Sequence, residues 1–194
     1  MILFYKPKDA YGCFCNFSPH TVTIYARTWK NSEAAFQATK FMPHRPDLVE
    51  AVWACETPRK AADMGRDRSL PLRIDWEDEP GRGGGYSLEM KDRVPKGLLH
   101  LPGDRLVRSQ LPEALFARTK DVFMYEVCYA KFSQHADIKQ ILLDTGDEVL
   151  VEDSNIDPYW GWGKDHVGEN KLGRILMAVR WALQRGIPCP AVFG

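Results

Sequence analysis

The chain has 194 residues, room for one domain with a full core, or one domain plus a long insertion. Hydrophobic residues make up 44% and charged residues 27%, the balance of a soluble globular protein. Lysine plus arginine equals aspartate plus glutamate at 26 each, so no global charge draws a nucleic acid or an anionic membrane, and only a local basic patch could do so. The five cysteines are odd in number and none forms a CxxC pair, which argues against a structural zinc site and for reduced thiols. Met1–Tyr5 is too short for a signal peptide, and no apolar run approaches the roughly 20 residues of a membrane helix. The expectation is a cytoplasmic protein with no membrane contact and no cofactor or metal, its oligomeric state not readable.

In chain order, Ile2–Tyr5 and Val22–Tyr25 are short, β-branched and aromatic, and read as strands around a Gly, Asn, Ser and Pro loop at Tyr11–His20. A helix is expected from Asn31 or Ser32, either of which can cap, to Phe41 before Pro43. Pro46 opens a helix to about Cys55, and Thr57-Pro58 opens another that ends near Gly65. From Asp78 to Leu111 glycines and prolines break all periodicity, the mark of a long loop or insertion, placed at about 78–117. Helices are expected over Glu113–Gln134, Ala136–Asp144 and Leu172–Leu183. A short strand is expected at Val149–Glu152 and an aromatic loop at Asp153–Gly163. The fold class that follows is α+β, one compact and predominantly helical domain over residues 1–194 with a few short strands.

Three clusters carry chemistry. On the first helix Glu33, Phe36, Gln37 and Lys40 share one face at 100° per residue. On spacing alone a solvated face explains that stripe better than a site does. Glu33 lies in the first turn, where the helix dipole favours an ionised carboxylate, suited to a base or to stabilising a positive sugar. The Asp153–Gly163 loop, with Glu152 just before it, gathers carboxylates with Tyr159, Trp160 and Trp162, which offer stacking faces and groups to bind sugar hydroxyls or activate water. It could equally be a surface turn with docked tryptophans, and Asp157 before Pro158 a turn former. In Arg66-Asp67-Arg68 two guanidinium groups could hold phosphate or form an exposed ion-paired turn, and Trp76 could be a stacking wall or core.

Together these motifs resemble the NADAR/YbiA-like family. The likeness runs through Tyr11-Gly12-x-Phe14-x-Asn16-Phe17, Trp29-x-x-Ser32-Glu33-x-x-Phe36-Gln37-Ala38-x-Lys40-Phe41 and Met64-Gly65-Arg66-Asp67-Arg68-Ser69. It continues at Trp76, Ala130-Lys131-Phe132-x-Gln134-His135, Leu150-Val151-Glu152, Asp157-x-Tyr159-Trp160-Gly161-x-Gly163 and Asn170-x-Leu172-Gly173. The resemblance implies that family's mostly helical α+β fold and hydrolysis of an N-glycosidic bond to ribose. The substrate class implied is ADP-ribose on guanine of DNA or RNA, or alternatively a ribosylamino-pyrimidine phosphate of riboflavin synthesis. It carries Glu33, Trp76, Asp157 and Trp160 over as active-site residues, and Asn16, Lys40, Arg66 and Arg68 as pocket residues. Two departures stand out: Ala34 replaces a histidine that many members carry, and shorter members lack most of Asp78–Ala117.

The mechanism expected has Trp76 or Trp160 stacked on the base, Arg66 or Arg68 on phosphate, and Glu33 or Asp157 stabilising the sugar and activating water. Gln37 and Tyr159 complete the expected substrate-binding set. Lys40, if neutral, offers a second route through a Schiff base with the opened ribose. The same residues would also suit a non-catalytic ADP-ribose or nucleotide-binding module, and the 78–111 segment could serve as a docking loop.

Overall fold

The computed structural model describes residues 1–78 and 115–189. Strand β1 (Ile2–Phe4) is followed by a 3-10 turn at Gly12–Phe14, strands β2 (Val22–Ile24) and β3 (Arg27–Trp29), and helices α1 (Ser32–Thr39), α2 (Pro46–Ala54) and α3 (Pro58–Arg66). Helices α4 (Thr119–Gln134) and α5 (Ala136–Asp144), strand β4 (Leu150–Glu152) and helix α6 (Lys171–Gln184) complete the elements of the described residues. The expected excursion over 78–117 lies almost wholly outside the described residues. So does the start expected for the fourth helix at Glu113; where the chain is described again, Leu115–Arg118 is not helical and α4 begins at Thr119. Its start is fixed by Asp121, whose Oδ2 accepts the Arg118 amide at 2.9 Å while its own amide donates to the Arg118 carbonyl at 2.9 Å.

The domain is α+β and mostly helical, and the described residues form two sheets of two strands each. β1 and β4 pair in parallel, with Phe4 opposite Glu152, although nearly the whole chain separates them. β2 and β3 form an antiparallel hairpin with Val22 opposite Trp29. β3 is not legible in the sequence. The turn between the strands is Tyr25-Ala26, both at φ 56°, a left-handed pair usually written with Asn or Gly. Tyr25 is tied down instead by its hydroxyl, which donates to Glu126 Oε2 at 2.7 Å.

α4 is the central post, buried from Thr119 through Phe132 and packed against α6, α1 and β2. α1 is hemmed in by α2, α3 and α4, so all eight of its residues are buried. The solvated-face explanation for Glu33, Gln37 and Lys40 therefore fails: burial here follows from three neighbouring helices, which a periodicity argument does not see. α1 starts where Asn31 Oδ1 accepts the Ala34 amide at 2.8 Å. α6 enters directly beside β4. Asn170 extends the strand edge with its side chain, accepting from the Glu152 amide at 3.0 Å and donating to the Leu150 carbonyl at 2.9 Å. Gly173 permits that approach, since a Cβ there would lie 2.2 Å from the Leu150 oxygen.

Candidate active site

A cleft of about 710 Å³ opens between α1, the end of α3, the segment around Trp76 and the loop after β4. That volume lies in the range of small-molecule sites. Asn16, Glu33, Gln37, Lys40, Arg66, Arg68, Trp76, Asp157 and Trp160 all line it. Tyr159 does not: its side chain turns away, and its hydroxyl donates to Asp121 Oδ1 at 2.5 Å.

Burial raises the Glu33 carboxyl above its ordinary range, while the Gln37 hydrogen bond and the positive charges of Arg66, Lys40 and Arg59 pull it back. The first-turn position alone pointed to a plainly ionised group; desolvation opposes it because the helix is enclosed. Gln37 Nε2 donates to Glu33 Oε1 at 2.7 Å and so orients the carboxyl. Gly65 makes room for that amide, as a Cβ there would fall 1.7 Å from Gln37 Oε1. The base of α1 is anchored to Asn16, whose carbonyl accepts the Glu33 amide at 3.1 Å and whose side-chain oxygen accepts Ser32 Oγ at 3.1 Å. Asn16 thus holds the helix start as well as lining the wall.

Lys40 closes the same face. Its Nζ donates to the Gly65 carbonyl at 2.6 Å and lies 5.5 Å from the Trp76 ring centre. Burial brings its pKa down to about 8, opposed by Glu33 and aided by Arg68, Arg66 and Lys120. The aromatic wall is continuous. Phe36 meets Trp76 at 5.4 Å and Trp160 edge-on at 5.3 Å, and Trp76 stacks on Phe123 at 6.2 Å. Trp76 is thereby both core and wall, a combination open to a residue on the boundary of a buried cleft.

The Asp157 carboxylate is drawn into its own loop, Oδ1 accepting the amides of Tyr159 and Trp160 at 2.9 Å each. It fixes the turn that presents Trp160 and still lines the cleft, so the turn-forming and the pocket readings both hold geometrically. Arg66 and Arg68 are exposed on the rim. The expected pairing with the aspartate between them does not occur: Asp67 accepts the amide and hydroxyl of Ser69 at 2.9 and 2.7 Å. Arg66 has a 3.9 Å contact with exposed Asp63.

Other lining residues escaped the sequence reading. Lys6, Arg59 and Lys120 add positive charge to the cleft, and Glu77 adds a carboxylate. Lys120 donates to both oxygens of Glu77 at 3.0 and 2.9 Å. Glu152, grouped by the sequence with the carboxylates of the following loop, lines the cleft from the end of β4. Among the described residues no group of three or more His, Cys, Asp or Glu side chains is placed to hold a metal ion. Among the described residues the cysteines form no disulfide. No helix of the described residues is long and apolar enough to cross a membrane.

The profile of the NADAR domain matches residues 89–184. An N-glycosidase of Nostoc punctiforme is 36% identical over 92% of this chain and 90% of its own. The N-glycosidase YbiA of Escherichia coli is 33% identical over 93% of this chain and 86% of its own. The chloroplastic riboflavin biosynthesis protein PYRR of Zea mays is 30% identical over the full chain, which spans 27% of that longer protein. The NMR structure of E. coli YbiA matches the fold with a TM-score of 0.68 at 32% identity, covering 95% of this chain and 85% of that one.

Proposed function

Since the chain belongs to the NADAR/YbiA-like family, we propose that it is an N-glycosidase that hydrolyses the bond between ribose and a base, and that its substrate is ADP-ribose carried on guanine of DNA or RNA. The observation that carries the reading is the composition of the cleft. One enclosed wall presents Glu33, Glu152 and Asp157 beside the Phe36–Trp76–Trp160 aromatics, and the rim carries Lys6, Arg59, Arg66 and Arg68. Carboxylates beside stacking faces suit a base leaving a sugar through a positively charged transition state. Several cations on the rim suit a diphosphate or a nucleic-acid backbone better than a single phosphate.

The base stacks on Trp76 or Trp160, and Arg66 and Arg68 hold the phosphates. Glu33 stabilises the developing charge at C1′ and takes the proton of the attacking water. Burial works against its ionisation, and the Gln37 amide and the cations Arg66, Lys40 and Arg59 work for the charged form it needs when water attacks. A second reading draws support from the Zea mays relative, named for riboflavin biosynthesis: the same cleft would then take a ribosylamino-pyrimidine phosphate.

Base release is the test. The protein is incubated separately with an oligonucleotide ADP-ribosylated on guanine and with the ribosylamino-pyrimidine phosphate, and free base is quantified. Release from the first alone supports the main reading, and release from the second alone supports the other. Binding of either without release makes the cleft a recognition module. Glu33→Gln, which keeps the Gln37 contact, should lower turnover by about 10²-fold or more while leaving the melting temperature near that of the parent. Near-parental turnover would remove Glu33 from the mechanism.

A further inference from the structure

Four carboxyl groups line the cleft; Glu77 is taken up by Lys120, and the surroundings of the other three differ. Glu33 has an amide donor and three cations about it. Asp157 has two backbone amides on one oxygen. Glu152 has neither. Its Oε2 is fully buried with no hydrogen-bond partner among the described residues. The charges that act on it are the negative ones of Asp157, from the loop, and Glu33, from α1. The other titratable groups that face it are the thiols of Cys15, beside the 3-10 turn, and Cys128 on α4.

Its backbone, by contrast, is held on every side. The amide donates to Asn170 Oδ1, the carbonyl accepts the amides of Ser154 at 2.9 Å and Trp162 at 3.2 Å, and Phe4 is its partner across the parallel pair. A carboxyl held rigidly, with one oxygen out of reach of water and set beside two other carboxylates, is costly to ionise, and a proton is the simplest way to satisfy it. An unshared O–H on a cleft wall is then a donor waiting for an acceptor on the ligand.

We propose that Glu152 is the acid of the reaction, protonating the departing base as the C1′–N bond breaks. This rests on the N-glycosidase reading. The bonding pair of C1′–N stays with the base nitrogen while the Glu152 proton passes to the base. C1′ accepts the oxygen of water, and the water proton goes to the Glu33 carboxylate. Glu33 then releases that proton to solvent and Glu152 regains one, so the net change is addition of water across the bond. Separate groups thus serve the two ends of the bond: a proton-bearing carboxyl among negative neighbours for the base, and a carboxylate among cations for the water. Burial first, then the charges of Asp157 and Glu33, push the Glu152 carboxyl up to about 8, so it holds its proton at neutral pH.

Glu152→Gln separates this role from a structural one. It keeps the shape and removes the transferable proton. Turnover is measured on whichever base-bearing substrate the parent hydrolyses, and on the 4-nitrophenyl glycoside of the same sugar phosphate, whose leaving group departs without a proton. The expected result is a loss of about 10²–10⁴-fold at pH 7 on the base substrate and a change within about tenfold on the nitrophenyl substrate. In the parent, activity on the base substrate should fall as pH rises through about 8. That alkaline limb should be missing on the nitrophenyl substrate. Equal losses on both substrates, or unchanged turnover on the base substrate, overturn the assignment. If the variant misfolds, the parent's two pH profiles decide alone: an alkaline limb of the same position and depth on both substrates overturns it. A parent that releases base from neither natural substrate defeats the hydrolase reading itself, and the acid role with it.

Discussion

Lys40 and Lys131 are two buried lysines, each brought down to about 8 chiefly by loss of water. Their surroundings give them different work. Lys131 is fully sealed and donates to the Cys15 carbonyl at 2.9 Å, so it pins the 3-10 turn to α4 and meets no ligand. Lys40 donates to Gly65 on one side and lines the cleft on the other. A folded pKa lowered from 10.5 means that the neutral, nucleophilic amine is scarce below about 8 and grows as pH rises through it. If the Schiff-base route operates, borohydride added during turnover should fix the sugar on Lys40 and not on Lys131, with more adduct at pH 9 than at pH 7. Peptide mass spectrometry reads the outcome, and an unmodified Lys40 removes that route. The sequence put Lys40 on the stripe of Glu33 and Gln37 by its spacing alone. It could not show the desolvation, which comes from Trp76 and from the α3 terminus folding over the amine. Glu152 was harder still to single out, because an alternating strand residue carries no mark of which groups will surround it.

At the scale of the element, α1 is the piece most exposed to a local change. It is short, it holds Glu33 and Gln37 with Lys40 directly after it, and its first turn hangs on Asn31 and Asn16. Asn31→Ala removes the acceptor for the Ala34 amide in a buried setting and should cost about 1 kcal/mol, within the usual range for a lost cap. Urea denaturation should show a lower midpoint with an unchanged slope. A stability equal to the parent's would mean that tertiary packing alone sets the helix start. The helices were the legible elements. Asn31, Pro46, Thr57-Pro58 and Gly186 are caps and breaks whose chemistry acts over a few residues, so their spacing reports them directly. β3 was hidden because the Tyr25-Ala26 turn has neither glycine nor asparagine, and its left-handed backbone is held by a distant glutamate, Glu126. The α4 start was displaced for the same kind of reason: its cap is Arg118 with Asp121, not a residue of strong capping preference.

Across the whole molecule, the loop bearing Asp157 and Trp160 is fastened to the start of α4 through Tyr159. Its hydroxyl reaches Asp121 at the start of α4, and Asp121 is 3.6 Å from Lys171 at the start of α6. Lys120 sits over the Tyr159 ring at 3.9 Å and Arg118 at 4.8 Å. One loop, two helices and one wall of the cleft therefore share a buried polar cluster. Tyr159→Phe keeps the ring and removes the hydrogen bond to a charged group, which should cost about 1.5–3 kcal/mol in stability. The loop also carries the cleft wall, so KM for the base-bearing substrate should rise more than kcat falls, and steady-state kinetics beside a thermal melt would check both. An unchanged KM would mean that the Asp157 turn holds the wall without this anchor. By itself the sequence determined the fold class, the helices, and the residues that carry the family resemblance, because capping, periodicity and motif spacing are local properties of the chain. Only the tertiary structure decided which of those residues meet. It enclosed α1 so that its polar stripe became a cleft wall, turned the Tyr159 hydroxyl from the ligand side to Asp121, and left Glu152 Oε2 with no hydrogen-bond partner among the described residues, near two carboxylates. Burial and the sign of the neighbouring charge set what an ionisable group does, and both come from parts of the chain far apart in sequence.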